Sequence, residues 1–156
     1  MSTTGRPPRL AAVFQKYDPP LFFVTVCCAD RKRLLANEAV HAAFREFAAR
    51  GQRDCHIAVG RYVLMPDHLH VFVSGPAEFR LEQWVRLLKT ALGKKLRQPG
   101  RGPELWQRGF FDHVVRHSES YAEKWEYVRQ NPVRAGLVSQ VEDWPYQGEI
   151  EAIDRV

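Results

Sequence analysis

His68, His70 and Tyr127 are the residues through which this chain could do chemistry. The two histidines flank Leu69 within Tyr62-Val-Leu-Met-Pro-Asp-His-Leu-His-Val-Phe-Val73, a run that reads as β-strand. Side chains at i and i+2 of a strand leave the same face. Both imidazoles can therefore share one metal ion, while Leu69, Val71 and Val73 point to the opposite face. Downstream, Tyr127 and Asn131 are spaced to lie together on one flank of a helix. A phenolic oxygen beside a cation can attack phosphorus once charge on the phosphate oxygens is stabilised. The amide oxygen of Asn131 can complete a set of two imidazoles and one oxygen. Such a set leaves positions open for water and phosphate and suits Mn²⁺ or Mg²⁺. Each feature also has a plain structural reading. A histidine pair can sit on a partly wet strand without metal, Tyr127 can be a half-buried helix tyrosine, and Asn131-Pro132 reads equally well as the N-cap and N1 pair of a short helix ending near Gly136.

These residues need elements to position them. Leu21 to Cys28 reads as a strand apolar on both faces, and so as a central one. Asn37 can cap a helix with apolar positions Val40, Phe44 and Phe47, closed by Gly51. Strands from about Cys55 to Met65 and from His68 to Ser74 meet at Pro66-Asp67, too short a link for a crossover, so they form an antiparallel hairpin. A second amphipathic helix is expected from Arg80 to Arg97, with Leu81, Trp84, Val85, Leu88, Leu92 and Leu96 on its inward stripe. Trp106 to Val115 suits a last strand, giving β-α-β-β-α-β. Ser120 and Glu123 then form a capping box for a final helix whose inward stripe is Tyr121, Trp125 and Val128.

At 156 residues, 45% hydrophobic and 26% charged, the chain fits one soluble domain spanning 1–156, with a basic tail at 1–18 and a C-terminal tail at 145–156. No apolar run suits a membrane span and the N-terminus lacks a secretory core, so a cytoplasmic location is expected. The three cysteines, Cys27, Cys28 and Cys55, have no CxxC spacing and argue against a disulfide framework. A net charge of +5 is compatible with a polyanionic partner. Arg6 and Arg9 in the tail, and Lys94, Lys95, Arg97, Arg101 and Arg108 around Pro99-Gly-Arg-Gly-Pro103, are candidates to hold phosphates. That loop lacks the third glycine and the lysine of a phosphate cradle, so no nucleotide cofactor is expected.

Three segments together resemble the REP-associated tyrosine transposases, relatives of the single-tyrosine HUH transposases. They are Tyr62-Val-Leu-Met-Pro-Asp-His-Leu-His70, Trp106-Gln-Arg-Gly-Phe-Phe-Asp-His-Val-Val-Arg116 and Tyr127-Val-Arg-Gln-Asn-Pro-Val-Arg-Ala-Gly-Leu-Val138, in the family's order. The resemblance implies an α+β, ferredoxin-like fold with an antiparallel sheet and an additional C-terminal helix carrying the tyrosine. It implies cleavage of single-stranded DNA beside REP-type hairpins, with His68, His70 and Asn131 holding Mg²⁺ or Mn²⁺ and Tyr127 as nucleophile. The partner is then DNA and not a membrane, and the protein a monomer or homodimer. Arg134 joins the basic residues that would touch phosphates, and Trp106, Phe110 or Phe111 could stack on unpaired bases. Related insertion-sequence enzymes carry Gln at the Asn131 position, which favours the REP-associated branch. Asp67 stands where many members have Asn, and its carboxylate could tune metal affinity. A hydrolytic metal-dependent phosphoesterase, a non-catalytic nucleic-acid-binding module and an insertion-sequence transposase with the same chemistry are the alternatives.

Overall fold

The computed structural model describes residues 19–96, 104–116 and 119–153. Its elements run β1 (Leu21–Cys27), α1 (Glu38–Cys55), β2 (Ala58–Leu64), β3 (His68–Ser74), α2 (Leu81–Leu96), β4 (Phe111–Val115), α3 (Tyr121–Val128), α4 (Asn131–Arg134) and β5 (Gln147–Glu149). The sheet order is β4-β1-β3-β2-β5, and every pairing is antiparallel. The first four strands thus have the expected ferredoxin-like arrangement. The hairpin β2–β3 is forced by its short Pro66-Asp67 link, whereas α1 and α2 carry the chain across the sheet so that β1 lies between β3 and β4.

Alternation along the strands divides the core in two. Val24, Val26, Val59, Leu64, Leu69, Val71 and Val73 pack beneath the stripes of α1 and α2, joined by Phe44, Trp84, Leu88 and Leu92. Leu21, Val63, Phe72 and Val115 pack on the other face against Tyr121, Trp125 and Val128 of α3 and against Trp144. His68, His70 and Phe72 alternate with Leu69, Val71 and Val73, so the histidines share the α3 face.

Several boundaries differ from the sequence expectation. Helix α1 runs through Gly51 to Cys55, because a glycine inside a helix costs only ~1 kcal/mol, and His56, at φ 58°, takes the left-handed closing position. The following strand therefore starts at Ala58. The last expected strand is shortened to Phe111–Val115: Gly109, at φ 76°, turns the chain, and Trp106 makes only an isolated bridge to Cys28. Segment 145–156 is not simply a tail, since Gln147–Glu149 pairs with Arg61–Val63. Asn131 is not an N-cap: Gln130 holds that position with helical dihedrals and Asn131 opens α4. Among the described residues no helix is long and apolar enough to cross a membrane.

Candidate active site

The site begins with the turn that delivers His68. The Pro66 carbonyl accepts from the Leu34 and Leu35 N–H groups at 2.8 and 3.0 Å, and the Asp67 carbonyl from Cys28 N–H at 2.9 Å. The β1–α1 connection thus pins the turn. Within that connection Asp30 and Arg31 hold φ of 54° and 53°, left-handed values that side chains rarely adopt. That backbone lets the Arg31 guanidinium reach back to Asp67, with Nε to Oδ2 at 3.0 Å.

Each histidine is oriented through Nδ1. His68 Nδ1 lies 2.7 Å from Asp67 Oδ1, and because a carboxylate only accepts, the proton sits on Nδ1. The 3.4 Å approach of Arg31 to the same nitrogen is then proximity and not a second hydrogen bond. His70 Nδ1 lies 2.8 Å from the hydroxyl of Thr25, its cross-strand partner on β1. Phe23 stacks on the His70 ring at 5.2 Å and 20°, which fixes the ring plane. The two imidazole centroids are 4.8 Å apart. Both Nε2 atoms remain without a hydrogen-bond partner among the described residues.

Electrostatics keep His70 neutral. Burial, reinforced by the positive charge of His68, Arg134 and Arg31, pushes His70 down to about 3. Burial alone would raise the Asp67 carboxyl, but hydrogen bonds from His68 and Arg31 outweigh it and hold it below the usual range. A neutral imidazole is the form that binds a metal.

Helix α3 carries Tyr127 to the same side of the sheet. Ser120 Oγ caps it by accepting from Glu123 N–H at 3.1 Å. A register shift in β2 between Val59 and Tyr62 frees Arg61 N–H, which donates to the Tyr121 hydroxyl at 2.8 Å. Gly60 makes room for that hydroxyl, since a Cβ there would stand 2.3 Å from it. Tyr121, Trp125 and Val128 face the core as expected, and Tyr127 is left 68% exposed.

Arg134 ties the parts together. Its guanidinium carbon lies 4.2 Å from the centre of the Tyr127 ring and it donates to the Tyr127 carbonyl at 2.9 Å. It also donates to Asn131 Oδ1, and its charge is felt at His70. Tyr127, Asn131 and Arg134 thus form one cluster. The amide of Asn131 is held by Arg134 and not by capping; its oxygen keeps a second lone pair.

The other candidates are placed differently. Lys94 and Lys95 are exposed at the end of α2, on the helix layer opposite the histidines. Arg108 is exposed in the turn before β4, while Arg6, Arg9, Arg97 and Arg101 lie outside the described residues. Trp106 packs against the core with its indole N–H on the Lys89 carbonyl at 3.1 Å, and Phe110 packs there too. Sequence reasoning missed Thr25 and Arg31. A threonine in the otherwise apolar and cysteine-containing Leu21–Cys27 run was the available signal for the first; nothing local marked the second.

The chain belongs to the IS200-like transposase family, whose model matches residues 22–131. It is 28% identical over 131 residues to the REP-associated tyrosine transposase of Escherichia coli, covering 80% of this chain and 73% of that one. It is 27% identical over 140 residues to a candidate REP-associated tyrosine transposase of Haemophilus influenzae, covering 81% and 77%. A solved structure of a REP-associated tyrosine transposase bound to a REP hairpin superposes with a TM-score of 0.69 at 22% identity, over 99% of this chain and 96% of that one. The resemblance carried by the three sequence motifs is thereby borne out, and so is the α+β fold.

Proposed function

We propose that this chain cleaves and rejoins single-stranded DNA beside REP-type hairpins through a 5′-phosphotyrosine link to Tyr127. The observation that carries the reading is the paired orientation of His68 and His70. Nδ1 of His68 is held by Asp67 and Nδ1 of His70 by the Thr25 hydroxyl, which accepts when the His70 proton sits on Nδ1, so each ring can offer its Nε2 lone pair for ligation. Asn131 supplies an amide oxygen with one lone pair beyond its contact to Arg134. Two imidazoles and this amide are the donor set we propose. This neutral set fits Mg²⁺ or Mn²⁺ whose remaining ligands are phosphate and water oxygens. A bound cation would neutralise charge on the scissile phosphate.

This chain's own residues do the rest. Arg31 and Arg134 add positive charge beside the histidines and disfavour protonation of His70. Arg134 restrains the Tyr127 ring from one side and leaves the exposed phenol accessible to a strand. The phenolic oxygen loses its proton to solvent or a base and attacks phosphorus. The bond to the 3′ oxygen breaks, a 3′-hydroxyl leaves, and the 5′ phosphate stays on Tyr127. Because one phosphodiester replaces another, rejoining needs no nucleotide cofactor.

The test is cleavage of single-stranded hairpin DNA from the flanks of the gene, with and without Mn²⁺ or Mg²⁺. His68→Ala and His70→Ala are expected to lose cation-dependent cleavage by at least about 100-fold, the scale of removing a Lewis-acid site, while remaining folded by circular dichroism. Full activity in either metal-stripped variant contradicts the shared site. Cleavage that survives Tyr127→Phe supports hydrolysis by bound water instead.

A further inference from the structure

We propose that Phe111 is a stacking platform for one unpaired base of the DNA strand next to the scissile phosphate, an inference that rests on the function proposed above. Register fixes where Phe111 stands. Thr25 pairs with Phe111 on one side and with His70 on the other. Thr25 reaches His70 Nδ1 with its hydroxyl, so all three side chains leave the same face. Val115, four residues on, is buried in the core beneath α3, which gives Phe111 the same parity. Phe111 and His70 are thus two strand spacings apart in one cross-strand row, about 10 Å. That is about three nucleotide steps at the ~3.4 Å rise of stacked DNA, and fewer when the strand is extended.

The ring in that place is open to a ligand. Phe111 is 61% exposed, whereas its neighbours Trp106 and Phe110 pack against the core. Among the described residues the exposed large hydrophobics are Leu87, Phe111, Val114 and Tyr127, and the two aromatic ones both belong to the histidine side of the sheet. A base offers a flat apolar face to match the ring, and Arg31 and Arg134 supply positive charge for the phosphates that follow it. A second copy of the chain is a poorer occupant. β4 is only five residues long and carries Asp112 and His113, both exposed, which blunts the edge against pairing.

The test separates binding from chemistry. Hairpin oligonucleotides from the flanks of the gene carry a single 2-aminopurine at successive positions of the unpaired arm and are titrated into the Tyr127→Phe protein. One position is expected to lose fluorescence on binding. Adding Phe111→Ala should abolish that quench and weaken binding roughly five-fold to hundred-fold, the range for one base on one ring, whereas Phe111→Trp should keep both. An abasic nucleotide at that position should reproduce the loss, and combining it with Phe111→Ala should add nothing further. Equal affinity with and without the ring overturns the platform. So does a dimer by sedimentation that Phe111→Ala dissolves while the base signal stands. Adduct formation by the parent protein is scored separately: no adduct refutes the proposed function and leaves the binding result standing, whereas an adduct without any Phe111 effect refutes the platform alone.

Discussion

The two faces of the sheet solve different problems. Beneath α1 and α2 the face is mostly apolar, and Phe44, Leu88 and Leu92 are completely buried in one cluster with Val24, Val71 and Val73. On the other face α3 covers only one end, and the row beside it carries Thr25, His68 and His70. Burial is deep beneath α1 and α2 and partial on the second face, where the imidazoles find hydrogen-bond partners through Nδ1 and keep Nε2 free. A fully covered face would leave their Nε2 atoms without solvent or ligand, at a cost of about 1–3 kcal/mol each. Placing the larger core on one side and the proposed reactive groups on the other lets each vary separately.

Substitutions should break that division unequally. Phe44→Ala, in the covered face, is expected to lose about 3–5 kcal/mol of unfolding free energy from transfer and cavity terms together. Urea titration reads this, and a loss below about 1 kcal/mol would show that the α1–α2 face is not the main support. Thr25→Val, on the open face, keeps the shape and removes the bond to His70 Nδ1. Calorimetric titration with Mn²⁺ should show affinity falling roughly ten-fold to hundred-fold, with a stability change near 1 kcal/mol or less. Comparable losses in Phe44→Ala and Thr25→Val stability would erase the contrast.

The open face should also show in the pH dependence of stability. His70 binds its proton at about 3 when folded, against 6.5 for the free side chain. Between those values the unfolded chain takes up a proton that the folded chain refuses. The contribution of His70 is therefore fully present above about 6.5 and declines as pH falls, by up to roughly 1.4 kcal/mol per pH unit. Metal-free protein at pH 7 and pH 5 should show this slope in urea titrations, and His70→Asn should flatten it. An unchanged slope in that variant places the acid sensitivity elsewhere.

Local period made most of the fold legible. The alternation His68-Leu-His-Val-Phe-Val73 fixes which residues share a face, and the stripes of α2 and α3 name their buried side chains correctly. Long-range pairs were not legible. Thr25 and His70 are 45 residues apart, and Arg31 and Asp67 are 36 apart, so nothing local announces either contact. β5 escaped because Gln147-Gly-Glu149 is three residues long and has no alternation; it exists only as an edge for β2. At Asn131 one of the two readings open in the sequence fails: the side chain does no capping, and Arg134, one turn away, takes its oxygen. Likewise Trp106, an attractive stacking residue by type, is drawn into the core by the indole bond to Lys89.

The central claim is that the open face exists to bring one phenolic oxygen to a phosphate. Parent protein, Tyr127→Phe and Tyr121→Phe are incubated with 3′-labelled single-stranded hairpin DNA and divalent cation, run on denaturing gels and mapped by peptide mass. The parent should retain the label covalently on Tyr127, and Tyr127→Phe should bind the hairpin nearly as well and form no adduct. Tyr121→Phe should keep the adduct and lose about 1–3 kcal/mol of stability through the unpaired Arg61 N–H. Label on any other residue, or cleavage by Tyr127→Phe at the parent rate, would contradict the assignment.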